Sequence, residues 1–499
     1  MKTISLNNHK NHYHLLMRTG YPVHFEYDDI PKETDLIFMN GVFRHGSRFW
    51  SSKYSLYFHD LIKKNVIGKH QNKKNNEDTK LITSYYKLIK SKGVKEVGNI
   101  CNKGNIEMNE IGKKIYLPHR EYFKKVKKIN YETTKKVRTI QTKDVLIKSI
   151  NLERKRNGLA ILKDNKINTK NSKYPIHNAM DFRGIALNKP TQKWNDNNKK
   201  IAKTFTDNYK FIDSIIDKYI NKLILNQVRI QFGINRELDY VILKDMIIGI
   251  FNSLTITGTY KYKGLENNNI SCFPSKYNSL QETMYSVYVK SGLCYSFYIV
   301  EFCRIILTRT IANIVLVKLS NVFLHQIGED LDKAMLKHNS STNRDMVVDP
   351  VFYFGHAEVI MPVLAHLLFM HRDLEKESLK INKKLRSYID KMPNVQNLEA
   401  DEASDKLKKM YSKLVEYGSK LVSNNNNLNW VTPMSSNLVF RLLKSRKDKE
   451  YYIQILLNGR TFSPPSFKQQ KMIKLREFRD MLLKNYLTSK EFKKLSGLQ

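Results

Sequence analysis

The segment that most restricts the fold is MVVDPVFYFGHAEVIMPVLAHLLFM, residues 346–370. Val351–Phe354 form a short unbroken apolar run, as in a strand covered on both faces. Gly355 marks a turn, and the apolar residues after it recur at helical spacing. Val359, Ile360, Val363, Leu364, Leu367 and Leu368 give that helix its apolar face. Pro362 sets the helix start near Glu358, because proline is accommodated in a first turn and not further in. A buried strand feeding directly into a helix is the unit from which α/β folds are assembled. DLIFMNGVF, residues 35–43, reads as a second buried strand ending in a glycine-containing loop. KKINYETTKKV followed by RTIQTKDVLIKSI reads as strand, turn and helix, with Ile140, Val145 and Ile147 to Ile150 inward. Towards the C-terminus, SSNLVFRLL and EYYIQILLNGRTF read as an antiparallel pair joined by the charged turn KSRKDK.

Between about residues 146 and 331 strand signals thin out and long mixed helices dominate, NKKIAKTFTDNYKFIDSIIDKYINKLI among them. No internal repeat is visible. The expectation is therefore an α/β core in two parts, residues 11–145 and 332–499, split by a mostly helical cap insertion, residues 146–331.

At 499 residues with 41% hydrophobic content the chain is globular rather than disordered. It carries 86 Lys+Arg against 47 Asp+Glu, a formal net charge of +39. Such a field draws polyanions: nucleic acid, an acidic membrane surface or a multiply phosphorylated small molecule. The competing reading is a compositional bias with a solvated basic surface, since lysine, asparagine and isoleucine are all abundant and Asn424–Asn427 is a homopolymer run. Nucleic acid is disfavoured as a partner: no finger spacing, aromatic-rich RNP strand or basic heptad helix occurs. Cys101, Cys272, Cys294 and Cys303 fit no zinc spacing; their even number permits two disulfides without demanding them. Asn269 and Asn339 head glycosylation sequons of the kind an asparagine-rich chain also produces by chance. The N-terminus MKTISLNNHKNHYHLL lacks the apolar stretch of about 7–15 residues that a signal peptide needs. Tyr295 to Leu319 is the most apolar region, but Glu301, Arg304, Arg309 and Lys318 interrupt it. It reads as a buried helix, and no integral membrane segment is expected.

Chemistry concentrates where the first strand ends. Arg44, His45 and Arg48 place three potential cations within five residues, around Gly46 and Ser47. Histidine can be neutral and nucleophilic near neutral pH while arginine stays charged. Two guanidinium groups can each grip a phosphate through paired hydrogen bonds, and glycine allows close backbone approach. The pattern suits attack of His45 on phosphorus. A basic surface cluster with an incidental histidine is the alternative. His356 and Glu358 stand at another strand-to-helix junction, where free backbone N–H groups favour an anion. His356 can donate to phosphate and Glu358 can supply a proton. Read singly, each is an ordinary helix-start residue.

Together these residues carry a resemblance. Arg44-His45-Gly46-Ser47-Arg48 resembles the RHGxR signature of the acid-phosphatase branch of the histidine phosphatases. That branch usually has His-Asp at the second site, whereas His356-Ala357-Glu358 resembles the multiple inositol polyphosphate phosphatase subfamily, and FGHAEVIMPVL is similar to it throughout. TTKKVRTIQT resembles the segment bearing a third phosphate-binding arginine, which falls on Arg138. SSNLVF and QILLNG match the C-terminal strand pair, and LMRTGYP the start of the mature domain. The resemblance implies a histidine-phosphatase-like α/β core, a mostly parallel sheet flanked by helices, with the helical cap inserted. It implies His45 as nucleophile, Arg44, Arg48, Arg138 and His356 around the phosphoryl group, Lys53 near the pocket, and Glu358 as proton donor. No metal and no cofactor is expected. The implied substrates are inositol polyphosphates such as phytate, with 2,3-bisphosphoglycerate a further candidate. The alternatives are a broad-specificity histidine acid phosphatase and a catalytically impaired polyanion-binding relative. The subfamily enters the secretory pathway, which implies the endoplasmic reticulum lumen or secretion; with no signal peptide visible, a cytoplasmic location stays open. Three departures stand out. Trp50 replaces the usual proline, Asp181 and Ala186 fall where an arginine and a cysteine are usual, and the apolar stretch near residues 295–310 is extra sequence.

Overall fold

The computed structural model describes residues 26–49, 57, 59–67, 80–90, 98–167, 199–234, 237–257, 260–261, 269–270, 272–273, 275–310, 312–343, 345–422, 434–484 and 491. The strands are β1 (Thr34–Arg44), β2 (Lys128–Thr133), β3 (Lys163–Lys166), β4 (Tyr260–Lys261), β5 (Asn269–Ile270), β6 (Val351–Gly355), β7 (Asn437–Ser445), β8 (Tyr451–Leu457), β9 (Arg460–Thr461) and β10 (Ile473–Lys474). β4 and β5 pair apart from the rest; the others form one sheet in the order β10-β8-β7-β1-β6-β2-β3, with β9 on β8. The fold is α/β, as expected, and the sheet is mostly parallel in strand direction. β1, β2, β3, β6 and β8 run one way, and β7, β9 and β10 the other. β7 and β8 are the antiparallel pair read from the sequence.

Strand side chains alternate between the two faces. Met39 and Phe43 of β1, Phe352 and Phe354 of β6 and Val439 of β7 enter one core, with Ile111 and Leu146 from the helices above them. Those helices are Asn102–Tyr116 and Val137–Arg156. Phe43 packs edge-on to Phe352 and stacks on Phe354 at 5.3 Å between ring centres. Truncating it to alanine would cost roughly 3–5 kcal/mol. Phe38 and Val42 of β1 and Tyr353 of β6 point the opposite way, into a larger core that continues through the helices of residues 199–339 and 357–422.

Three local readings change. Ile140 is 41% exposed and Val145 half-buried, whereas Leu146, Ile147 and Ile150 are buried. At about 100° per residue, the stripe through Leu146 and Ile150 leaves Ile140 and Val145 off its two edges. The helix after β6 spans Ala357–Phe369, and all of it but Glu358 is buried, because it lies between the sheet and the other helices. Pro362 therefore stands in its second turn, beyond the first-turn position inferred for it, and its carbonyl accepts from Ser320 Oγ at 3.1 Å. Tyr295 to Leu319 is two helices, Leu293–Arg309 and the start of Ile314–Asn339. The first begins at Gly292, whose φ of 75° suits glycine and where a Cβ would strike Ser404. Among the described residues no single helix is long and apolar enough to cross a membrane. The pair Asn278–Lys290 and Leu293–Arg309 passes on composition but bends by 85°. Of the two disulfides the cysteine count permits, one forms, Cys101–Cys272, while Cys294 and Cys303 are buried thiols.

Candidate active site

The carboxyl ends of β1, β6 and β2 lie level, because parallel pairing sets Arg44 opposite Gly355 and Phe354 opposite Thr133. The residues just past each strand end are pinned by backbone bonds. His45 N–H donates to Gly355 O at 3.0 Å, Thr134 N–H to Phe354 O at 3.2 Å, and Ser435 N–H to His45 O at 3.0 Å. Loops at the carboxyl ends of parallel strands are where α/β sheets hold ligands.

His45 is 4% exposed. Its Nδ1 lies 2.9 Å from Gly46 O. A carbonyl only accepts, so Nδ1 carries the hydrogen and Nε2 presents its lone pair. Gly46 N–H donates to Thr142 Oγ1 at 3.0 Å, and a Cβ on Gly46 would lie 3.0 Å from Gly104 O. A Cβ on Gly104 would fall 2.1 Å from Ser47 O, so the loop can lie on the start of helix Asn102–Tyr116 only with glycine there. Burial, then the charges of Arg138, His356, Arg48 and Arg44, hold the His45 imidazole well below the ordinary histidine value. It therefore stays neutral, and able to attack an electrophile, in mildly acidic solution.

His356 is the N-cap of helix Ala357–Phe369, and its ring meets that of His45 edge-on, 5.2 Å between centres. Arg138 Nη2 approaches His356 Nδ1 at 3.4 Å, and Thr134 Oγ1 approaches Nε2 at 3.3 Å. Guanidinium only donates, so Nδ1 accepts from Arg138 and Nε2 carries the hydrogen, which faces Thr134 Oγ1. Arg44 and Arg138 are buried beside these rings. Arg48 is half-buried and donates from Nη1 to Phe49 O at 2.7 Å. Glu358 follows in the first helical turn, its Oε1 3.5 Å from Arg309 Nη2. Arg44, His45, Arg48, Arg138 and His356, drawn from three distant segments, thus meet in one place, with Glu358 at its edge. Lys53, Trp50, Asp181 and Ala186 lie outside the described residues.

Reading the sequence missed the support beneath the histidine loop. Glu107, fully buried, accepts from Ser47 N–H at 3.0 Å, Ser47 Oγ at 2.8 Å and Ser435 Oγ at 2.7 Å. Three donors aimed at one carboxylate suit its ionised form. Lys103, also fully buried, neutralises it; burial pulls the ammonium down to about 7 and pushes the Glu107 carboxyl up, while their mutual attraction opposes both. The signal was present: Lys103 and Glu107 are four apart, on the helix face that also carries Met108, Ile111 and Ile115. Charges on an apolar face ask for partners. The disulfide anchors the same loop, since Cys101 N–H donates to Ser47 O at 2.9 Å.

Three guanidinium groups and a helix N-terminus converging beside a neutral imidazole can bind a tetrahedral oxyanion and attack it. The chain matches the histidine phosphatase superfamily (branch 2) over residues 35–458. It belongs to that superfamily. No curated protein sequence matches the chain. Among solved structures, the phytase of D. castellii is similar at a TM-score of 0.55 and 12% identity, covering 95% of this chain and 85% of that one. The multiple inositol polyphosphate phosphatase of Bifidobacterium longum, in complex with inositol hexasulfate, is similar at 0.53 and 13%, covering 94% and 97%. Its complex with phosphate gives 0.52 and 14%, covering 96% and 99%. At such identities these likenesses speak for the fold. With the family match, the chain is a phosphatase, a hydrolase, on the histidine acid phosphatase fold.

Proposed function

We propose that this phosphatase hydrolyses phosphomonoesters of inositol polyphosphates, phytate among them, through a covalent phosphohistidine. The observation that carries the reading is the presentation of His45 Nε2 among Arg44, Arg48, Arg138 and His356 at the level strand ends. In the first step Nε2 attacks phosphorus, the P–O ester bond breaks, and the departing alkoxide takes its proton from Glu358. The arginines and His356 hold the remaining phosphoryl oxygens, as charge-assisted donors do. In the second step Glu358 takes a proton from water, the water oxygen attacks phosphorus, and the P–N bond breaks to restore His45. The net charge of +39 favours a substrate with several phosphates, and 2,3-bisphosphoglycerate is a second candidate. The similar structures, a phytase and a multiple inositol polyphosphate phosphatase, point the same way. Disulfide Cys101–Cys272 supports an oxidising compartment, hence the secretory pathway.

The test is phosphate release by the purified full chain from phytate and from p-nitrophenyl phosphate. The expected result is a higher kcat/KM for phytate, and a rapid-quench phosphoryl adduct that is acid-labile and base-stable. Rapid turnover of the aryl ester with none of phytate would overturn the substrate assignment.

A further inference from the structure

Arg309 is the last residue of helix Leu293–Arg309, and its guanidinium reaches Glu358 with both side chains largely buried. Tyr209, on helix Lys199–Tyr219, joins the cluster. It is hydrogen-bonded to Thr308 and lies within the electrostatic reach of Arg309, Arg304 and Glu358. A cation at a helix C-terminus is ordinary charge–dipole stabilisation, and an exposed side chain would provide it equally well. Arg309 is instead carried inward to Glu358, two residues past the His356 N-cap, and His356 in turn meets Arg138 and His45. Three guanidinium groups suffice for one tetrahedral phosphoryl group. A fourth nearby adds repulsion, which the carboxylate of Glu358 offsets in part. Such a surplus is favourable once the ligand brings more than one phosphate.

Resting on the polyphosphate reading, we propose that Arg309 binds a substrate phosphate other than the one transferred to His45, exchanging Glu358 for that phosphate. A phosphate accepts the guanidinium fork as a carboxylate does and carries more charge. Glu358, released from its ion pair, takes up a proton more readily, which is what the leaving oxygen requires. A simple monophosphate has nothing to offer Arg309 and leaves the pair intact. The helix that looked like extra sequence thus carries a specificity determinant.

The experiment compares wild type, Arg309→Gln and Arg309→Lys as full chains on phytate and p-nitrophenyl phosphate, with thermal melts confirming folding. Arg309→Gln should reduce kcat/KM for phytate roughly 10- to 100-fold more than for the aryl ester, the ratio for losing one hydrogen bond to a charged group. Most of the difference should lie in KM. Arg309→Lys should restore part of it, keeping the charge without the fork. Inhibition of aryl ester hydrolysis by inositol hexasulfate should weaken by a similar factor in Arg309→Gln, and inhibition by inorganic phosphate much less. If Arg309→Gln fails to fold, Arg309→Lys carries the comparison, with a phytate KM raised severalfold relative to that of the aryl ester. Equal losses on both substrates in a folded variant would overturn the proposal while leaving phytate as substrate. A wild-type enzyme that turns over the aryl ester, yet is neither inhibited by phytate nor able to hydrolyse it, would refute the polyphosphate reading and this inference with it.

Discussion

Two carboxylates flank the histidine loop, and they are built for different work. Glu107 lies beneath it, fully buried, with three hydrogen-bond donors and a lysine around it. Glu358 lies at its edge, in a first helical turn, with an arginine 3.5 Å away. A carboxylate saturated by short bonds to backbone and hydroxyls is committed to holding structure, because every bond lost leaves a buried group unsatisfied. A carboxylate in a longer ion pair at a helix start, as Glu358 is with Arg309, can change partners. The contrast makes Glu107 a support of the loop that carries the imidazole, and it agrees with the proton-transfer role proposed above for Glu358.

Removing the group that both carboxylates serve has the largest effect. His45→Ala should lower turnover by roughly 10³-fold or more. The acid-labile adduct seen by rapid quench in the wild type should vanish. Activity surviving the substitution would dissolve the comparison, since neither carboxylate would then have a nucleophile to serve.

Glu358→Gln comes next. An inositol alkoxide is strongly basic and needs a proton as the P–O bond breaks, so burst-phase cleavage of phytate should fall roughly 10²–10⁴-fold. p-Nitrophenolate leaves as an anion, and its burst should fall far less. Equal burst-phase losses would remove Glu358 as proton donor and reduce it to an ordinary first-turn acid.

Glu107→Ala should register in stability. It leaves the buried Lys103 uncompensated, which costs roughly 3–5 kcal/mol, and chemical denaturation measures the loss. Glu107→Gln, which keeps one acceptor, should lose less. An unchanged midpoint and slope for Glu107→Ala would mean the floor does not hold the loop.

The smallest effect is on pH dependence. The folded-state pKa of His45 is lowered from its ordinary value of 6.5, so the reactive neutral ring persists as pH falls below 6.5. The acid limb of kcat/KM for a monophosphate should therefore lie below that value. Arg138→Gln, removing the largest of the charge contributions after burial, should move the limb upward. A limb at or above 6.5 in the wild type would place His45 in a wetter, less charged setting than the floor and edge describe.

Part of this was legible from residues alone. A strand-to-helix unit announces itself through an apolar run, a glycine and helical periodicity, and Arg44, His45, Arg48, His356 and Glu358 all sit at such junctions. Arg138 follows β2 in the same way. Glu107 and Arg309 had no such marker. Glu107 lies mid-helix, where its spacing from Lys103 on an apolar face signals a buried charge but not its partners in the loop. Arg309 lies at a helix end whose pattern says only where the core is. Pro362 shows the opposite failure: a sound local rule placed it in a first turn, and a helix buried on all sides carries it in the second.

The sequence by itself determined the α/β class, the short-range pairing of Arg44 with His45 and of His356 with Glu358, and the net charge of +39. Those are properties of neighbouring residues and of summed charge, which no folding is needed to read. Only the tertiary structure decided that β1, β6 and β2 end level, that Glu107 lies under Ser47, and that Arg309 reaches Glu358. Each of these joins residues distant along the chain. Parallel register levels the strand ends, and the close stacking of Gly46 on Gly104 sets the loop on its helix; periodicity within one segment carries no information about which other segment will lie against it.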